Sequence, residues 1–205
     1  MKTYTTVGAS ASAEFEEKRS VFIGHACHAS EVEEAMAFVK EKQSAYRDAT
    51  HNVWAYYMKG GIVARYSDDG EPTGTAGMPT LDAIRKSGVD DTCVVVTRYF
   101  GGILLGAGGL VRAYSKAASL AVQAAGIVTY ESFSELSVRL TYPDYQKVQN
   151  ELPRFGAHID GTDFTDSVLL RFAVKDEAAD GVIKRFSELT AGRSVPQITG
   201  HRLDK

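Results

Sequence analysis

The stretch TRYFGGILLGAGGLVRAYSKA, Thr97 to Ala117, holds the residues best suited to chemistry. Gly101, Gly102, Gly106, Gly108 and Gly109 permit positive φ and close approach by another group. They lead into a segment of helical spacing, taken to open after Gly109, whose first N–H groups have no partner within the helix. Backbone donors so placed suit a phosphate or a carboxylate. Arg98, Arg112 and Lys116 add fixed positive charge, the last two one turn apart on one helix face. The competing reading is structural: the glycines allow a tight crossover and close helix-on-sheet packing, and the basic side chains form a solvated face. Eleven of the 19 glycines fall between Gly60 and Gly109, so unusual backbone geometry is gathered here.

No nucleotide motif accompanies these residues. In GAGGLV, Val111 stands where G-x-G-x-x-G needs its third glycine, and no G-K-[ST] follows. No cofactor is expected. A second cluster, SDDGEPTGTAG, offers Asp68, Asp69 and Glu71, hard oxygen donors close enough to share a divalent ion. The spacing is not that of an EF-hand. His51, at the start of HNVWAYY, can approach this loop across a hairpin, so His51, Asp68, Asp69 and Glu71 form a candidate metal or partner-binding set. The same carboxylates could instead shape an Asx-rich turn, pair with Arg98 or Arg112, or hold a partner's arginines. His25 and His28, three apart on a strand, fall on opposite faces and are read as structural. With no G-x-S-x-G, H-E-x-x-H or cysteine–histidine signature, no catalytic residue is assigned. Acid–base work needs only two positioned carboxylates, which keeps an enzyme as the alternative.

The elements that must position these groups follow from hydrophobic period. Ala13 to Cys27 reads as two strands broken near Arg19, Glu31 to Lys42 as a helix, and HNVWAYYMKGGIVARYS as a hairpin turning at Gly60 and Gly61. A helix starts near Pro79, TCVVVTRYF is a buried strand, and the following helix carries Leu110, Ala113, Ala117, Leu120 and Ala124 on one face. A boundary near Gly126 separates residues 1–126 from 127–205. Beyond it, strand, helix, two strands, helix and strand follow in the split βαββαβ order.

With 205 residues and 44% hydrophobic content, the chain can bury a core without staples. A net charge of −3 sets up no global field toward nucleic acid or an anionic membrane, so any anion binding must be local. Cys27 and Cys93 lie far apart without a C-x-x-C pattern and suit a reducing compartment as small core residues. The polar N-terminal residues lack the apolar h-region of a signal peptide, and no later apolar run reaches the length of a membrane span. The expected location is cytoplasmic.

HNVWAYY, SDDGEPTGTAGMPTL and VVVTRYFGGILLGAGGLVRAY, in this order, resemble the IMPACT family in its bacterial two-domain type. The resemblance implies an α+β protein: a first domain with the fold of the second domain of ribosomal protein S5, and a ferredoxin-like second domain. A family of small-molecule kinases shares the first fold and binds ATP phosphates on a glycine-rich loop. Here the serines of that loop are absent and Leu110 and Val111 occupy the turn. Eukaryotic members regulate translation through an amino-terminal partner-binding domain that the matching motifs do not include. The expectation is a non-enzymatic protein linked to translation, contacting RNA, the ribosome or a translation-regulating protein through Arg98, the five glycines, Arg112 and Lys116. No DNA specificity and no membrane partner are expected. The alternative is a small-anion or nucleotide binder, or a metal-dependent enzyme, using the acidic loop and the glycine turn.

Overall fold

Two consecutive residues of positive φ, Lys18 at 48° and Arg19 at 64°, reverse the chain where the strand pattern breaks. Such a pair matches the right-handed twist of the strands it joins. The computed structural model describes residues 3–205, and these show a mixed α+β architecture with two antiparallel sheets and five α-helices. Residues Thr5–Thr129 form one unit; Tyr130–Lys205, with the described residues before Thr5, form the other.

In chain order, the first unit runs β1 (Tyr4–Val7), β2 (Ala11–Glu17), β3 (Ser20–His28), α1 (Val32–Ala45), β4 (His51–Met58), β5 (Val63–Ser67), α2 (Gly77–Lys86), β6 (Thr92–Tyr99) and α3 (Ala107–Ala125). Its sheet has the order β2-β3-β6-β4-β5. The central β6 is buried on both faces, which explains its unbroken apolar run. Val94 and Val96 join the core under α2 and α3, whereas Cys93 and Val95 join a smaller one under α1. Cys27 and Cys93 are both buried free thiols. The β4–β5 turn is a short 3-10 segment, Lys59–Gly61, tied down by Gly60 N–H donating to Asp90 Oδ2 at 2.7 Å.

Two expectations about α3 need correction. The helix opens at Ala107, so Gly108 and Gly109 lie inside its first turn. Its buried face comprises Leu110, Ala113, Tyr114, Ala117, Ala118, Ala121, Val122 and Ala125; Leu120 is half-buried and Ala124 exposed. Pairs one residue apart share each turn of this stripe, so counting only every third or fourth apolar residue rotates the face. Small residues let the helix lie close to the sheet: a Cβ built on Gly24 of β3 would meet the Ala117 carbonyl oxygen at 2.3 Å.

The second unit contains β7 (Ile127–Leu140, of which its last eleven residues belong to this unit), α4 (Tyr142–Val148), β8 (His158–Phe164), β9 (Val168–Lys175), α5 (Asp176–Leu189) and β10 (Gln197–Asp204). The strands are ordered β10-β7-β9-β8, and β1 also pairs with β7. Leu136, Val138 and Leu140 alternate on one face of β7, as do Leu170, Phe172 and Val174 on β9, and they pack against Val148 of α4 and Phe186 of α5.

Candidate functional site

Register places Arg98 of β6 opposite Phe22 of β3 on one side and His51 of β4 on the other. Three strands therefore converge on one point, and the acidic loop after β5 closes over it. Asp68 folds that loop. Its Oδ1 accepts the Ala76 and Gly77 N–H groups at 3.1 and 2.8 Å, and its Oδ2 accepts Gly74 N–H at 2.9 Å. These are backbone groups at the start of α2 that would otherwise lack partners. Asp69, at a φ of 45°, accepts Asn52 N–H on Oδ2 at 2.6 Å. The Asp69 carbonyl takes the His51 Nδ1–H at 2.7 Å. A carbonyl can only accept, so Nδ1 carries a proton.

Glu71 is thereby turned inward. Its Oε1 accepts Arg98 Nη1–H at 2.5 Å and the Tyr114 hydroxyl at 2.7 Å. His51 Nε2 lies 3.9 Å away, outside hydrogen-bond reach. Arg98 is 5% exposed and Glu71 8%, which makes this a buried ion pair. Arg98 Nη2 reaches Ser20 Oγ at 3.4 Å, its Cζ lies 5.5 Å from the Phe22 ring centre and 5.3 Å from that of Phe100, and its buried Nε–H has no acceptor. The Tyr114 phenol is pushed well above its ordinary range by burial and by the Glu71 charge. Arg98 is thus held by Glu71, and not by Asp68 or Asp69.

Behind the pair, a polar chain crosses the sheet. Ser12 Oγ lies 2.7 Å from His25 Nδ1, and Thr97 Oγ1 donates to Asn52 Oδ1 at 2.8 Å and lies 3.5 Å from His25 Nε2. Burial, and then the Lys42 charge, push His25 down to about 4, so the ring is neutral near pH 7.

The glycine turn bounds the pair on its open side. Gly101 is a close-approach position: a Cβ there would stand 1.9 Å from the Arg19 carbonyl oxygen, and Gly101 N–H donates to Ser20 Oγ at 3.2 Å. Gly102 lies in the exposed turn, and Gly108 and Gly109 lie in the first turn of α3. Gly106 precedes α3 at a φ of 72°, and no side chain caps the helix. The first bond of this end is Leu110 N–H to the Gly106 carbonyl at 2.9 Å, leaving the N–H groups of Ala107, Gly108 and Gly109 directed out of the helix tip.

Two hollows result. A cleft of about 410 Å³ is lined by His51, Glu71, Arg98, Phe100, Leu104 and Ala107, among others. A smaller hollow of about 250 Å³ lies on the other side of Leu105, with Phe15, Glu17, Lys18, Arg112 and Lys116 in its walls. There Lys116 Nζ sits 4.2 Å from the Phe15 ring centre, and Phe15 stacks on Phe22 at 5.3 Å. His51, Glu71, Arg98 and Gly106 therefore share one cleft, and Gly109, Arg112 and Lys116 the other. Asp68 and Asp69 direct their carboxylates at backbone amides instead. Among the described residues, no group of three or more His, Cys, Asp or Glu side chains is arranged to hold a metal ion. Nor is any helix of these residues long and apolar enough to cross a membrane.

Sequence reasoning passed over Phe15, Lys18, Ser20, Phe22, Asn52 and Tyr114. Tyr114 was within reach, because it lies one turn after Leu110 in the quoted stretch. Ser20 and Phe22 meet Arg98 only through the β3–β6 pairing, which no local pattern announces.

Comparison with known proteins adds an independent finding. Residues 18–122 match the family model of the Impact N-terminal domain, and residues 138–193 match a domain of unknown function, DUF1949. The chain is 34% identical over 195 residues to the IMPACT family member YvyE of Bacillus subtilis, covering 95% of this chain and 90% of that protein. It is 38% identical over 181 residues to an IMPACT family member of Thermus thermophilus, covering 86% and 96%. A crystal structure of a hypothetical protein superposes with a TM-score of 0.61 at 30% identity, covering 98% of each chain.

Proposed function

Because the chain belongs to the IMPACT family, we propose that it is a non-enzymatic binding protein linked to translation, and that it contacts RNA or the ribosome through the hollow around Phe15. One observation carries this reading: Lys18, Arg112 and Lys116 line one hollow around the half-buried Phe15, with Glu17 the single acid in that wall. Three cations grouped in one wall can engage phosphates of a nucleic-acid backbone. Arg98 takes no part in such a contact, because its charge is already committed to Glu71. Its role is to fix the turn that leads into α3. We also read the β10-β7-β9-β8 order of the second unit, with two helices on one face, as the split-βαβ, ferredoxin-like arrangement. The first unit is read as S5 domain 2-like.

The test is binding of the purified protein to ribosomes and to a single-stranded oligoribonucleotide across a salt series. Each cation engaged contributes about −0.7 to the slope of log K against log salt. Arg112→Ala and Lys116→Ala are each expected to weaken binding and flatten that slope by about this amount. Binding that is absent at every salt concentration, or indifferent to both substitutions, overturns the reading.

A further inference from the structure

Cys27 and Cys93, far apart in the chain, face each other across β3 and β6 in the fold. We propose that they form a reversible disulfide between the two strands, in which Cys27 meets the oxidant and Cys93 closes the bond. Facing residues of an antiparallel pair leave the sheet on the same side. Both thiols accordingly lie in the small core under α1, beside Ala35 and Val39. Two positions further along the same register, Ala29 N–H donates to the Asp91 carbonyl at 2.8 Å. Pair types alternate along the ladder, so Cys27 and Cys93 occupy a hydrogen-bonded pair, whose Cα atoms stand about 5.5 Å apart. A disulfide spans about 4.4–6.8 Å between Cα atoms, so the bond closes without moving either strand out of the sheet. Cβ atoms at such a pair stand about 5.5 Å apart, against a mean of about 3.8 Å in disulfides. The bond therefore forms under strain, and strained disulfides are the readily reduced ones.

Depth divides the work between the thiols. Cys27 is 7% exposed, whereas Cys93 is fully enclosed, its Sγ lying 3.8 Å from the Ala35 carbonyl oxygen. A hydrogen bond to Cys27, and then burial, hold the Cys93 thiol well above its ordinary range. Cys93 is thus a poor first nucleophile, because the thiolate is the reactive form. Hydrogen peroxide, close to water in size, is the oxidant this arrangement admits. Cys27 loses its proton, and its thiolate sulfur attacks one peroxide oxygen as the O–O bond breaks. The sulfur becomes a sulfenic acid, and the departing hydroxide takes up a proton to form water. The Cys93 sulfur then attacks the Cys27 sulfur, gives up its proton and expels the sulfenic oxygen as a second water. Two thiols supply two electrons and one peroxide accepts them, so the products are the disulfide and two waters. The new bond ties the strand that carries Ser20 and Phe22 to the strand that carries Arg98.

This site stands apart from the RNA reading, since the thiols lie under α1 and Lys116 belongs to α3 on the other face of the sheet. The test treats the reduced protein with hydrogen peroxide, then denatures it, alkylates the remaining thiols and counts them by mass spectrometry. Both thiols are expected to disappear together, with a mass lower by two hydrogen atoms, one peptide link joining Cys27 to Cys93, and both thiols restored by dithiothreitol. Cys93→Ala is expected to stop at a Cys27 sulfenic acid that dimedone traps, and Cys27→Ala to leave Cys93 unmodified. Each replaces a small core side chain with another, and the measurement on the unaltered protein decides the proposal even if a variant does not fold. Both thiols still free after peroxide treatment, oxygen added to Cys27 with no link to Cys93, or links found only between separate chains overturns it.

Discussion

Glu71 and Asp144 are both buried carboxylates paired with arginine, one in each unit, yet their surroundings differ in kind. Asp144 sits in the first turn of α4, with Arg193 Nη2 at 2.8 Å and Lys147 Nζ at 3.4 Å. Both partners are about half exposed, at 55% and 52% of their side-chain surface. They reach in from water and can return to it. Arg193, foremost, holds the Asp144 carboxyl at about 2. Glu71 is bonded to Arg98 and Tyr114, which are 5% and 0% exposed, and Glu71 and Arg98 line the cleft. Burial of a carboxylate therefore does not by itself separate architecture from a site. The separation comes from where its partners end, and from whether any of them retains an unused donor.

Removing each carboxylate tests that contrast most severely. Glu71→Ala leaves the Arg98 guanidinium buried without its counter-charge, and a loss of about 3–5 kcal/mol is expected in urea unfolding. Asp144→Ala frees two side chains that can rehydrate, so its loss should be clearly smaller; equal losses would break the comparison. Acid separates the units in a second way. Burial depresses His25 from 6.5 to about 4 in the folded first unit. The unfolded chain therefore binds the extra proton first, and stability falls as pH drops from about 6.5 toward 4. Asp144, also depressed, contributes above about pH 4 and loses that contribution only as pH falls through about 2. Acid titration followed by amide exchange should show the first unit loosening before the second, and His25→Gln should flatten the earlier phase. The smallest effect belongs to Lys116. Its removal from the Phe15 ring is expected to lower stability by about 0.5 kcal/mol, while changing the salt dependence of RNA binding.

Much of the fold was legible in the chain because its signals are local. The Gly60–Gly61 turn, the strand break at Arg19, Pro79 in the first turn of α2 and the apolar run of β6 each announce an element within a few residues. The buried face of α3 was less legible, since alanine weakly marks which side is inside and Tyr114 is apolar at its ring and polar at its tip. The site shows the same limit more sharply. Asp68, Asp69 and Glu71 are nearly consecutive acids of one chemical type, yet one caps a helix start, one orients His51 and Asn52, and one anchors Arg98. Their division of labour depends on two positive-φ residues, Asp69 and Gly70, that rotate Glu71 inward. The Arg98 partners Ser20 and Phe22 come from a strand almost eighty positions earlier, and only sheet order brings them in.

The contact between Gly24 and Ala117 reaches beyond packing. With backbone against backbone, α3 has no side-chain layer at that point in which to slide or tilt, and its tip is set by the sheet beneath it. The donors of Ala107, Gly108 and Gly109 are consequently aligned before anything arrives. Gly24→Ala would set a Cβ against the Ala117 carbonyl, which yields only if the helix itself moves off the sheet.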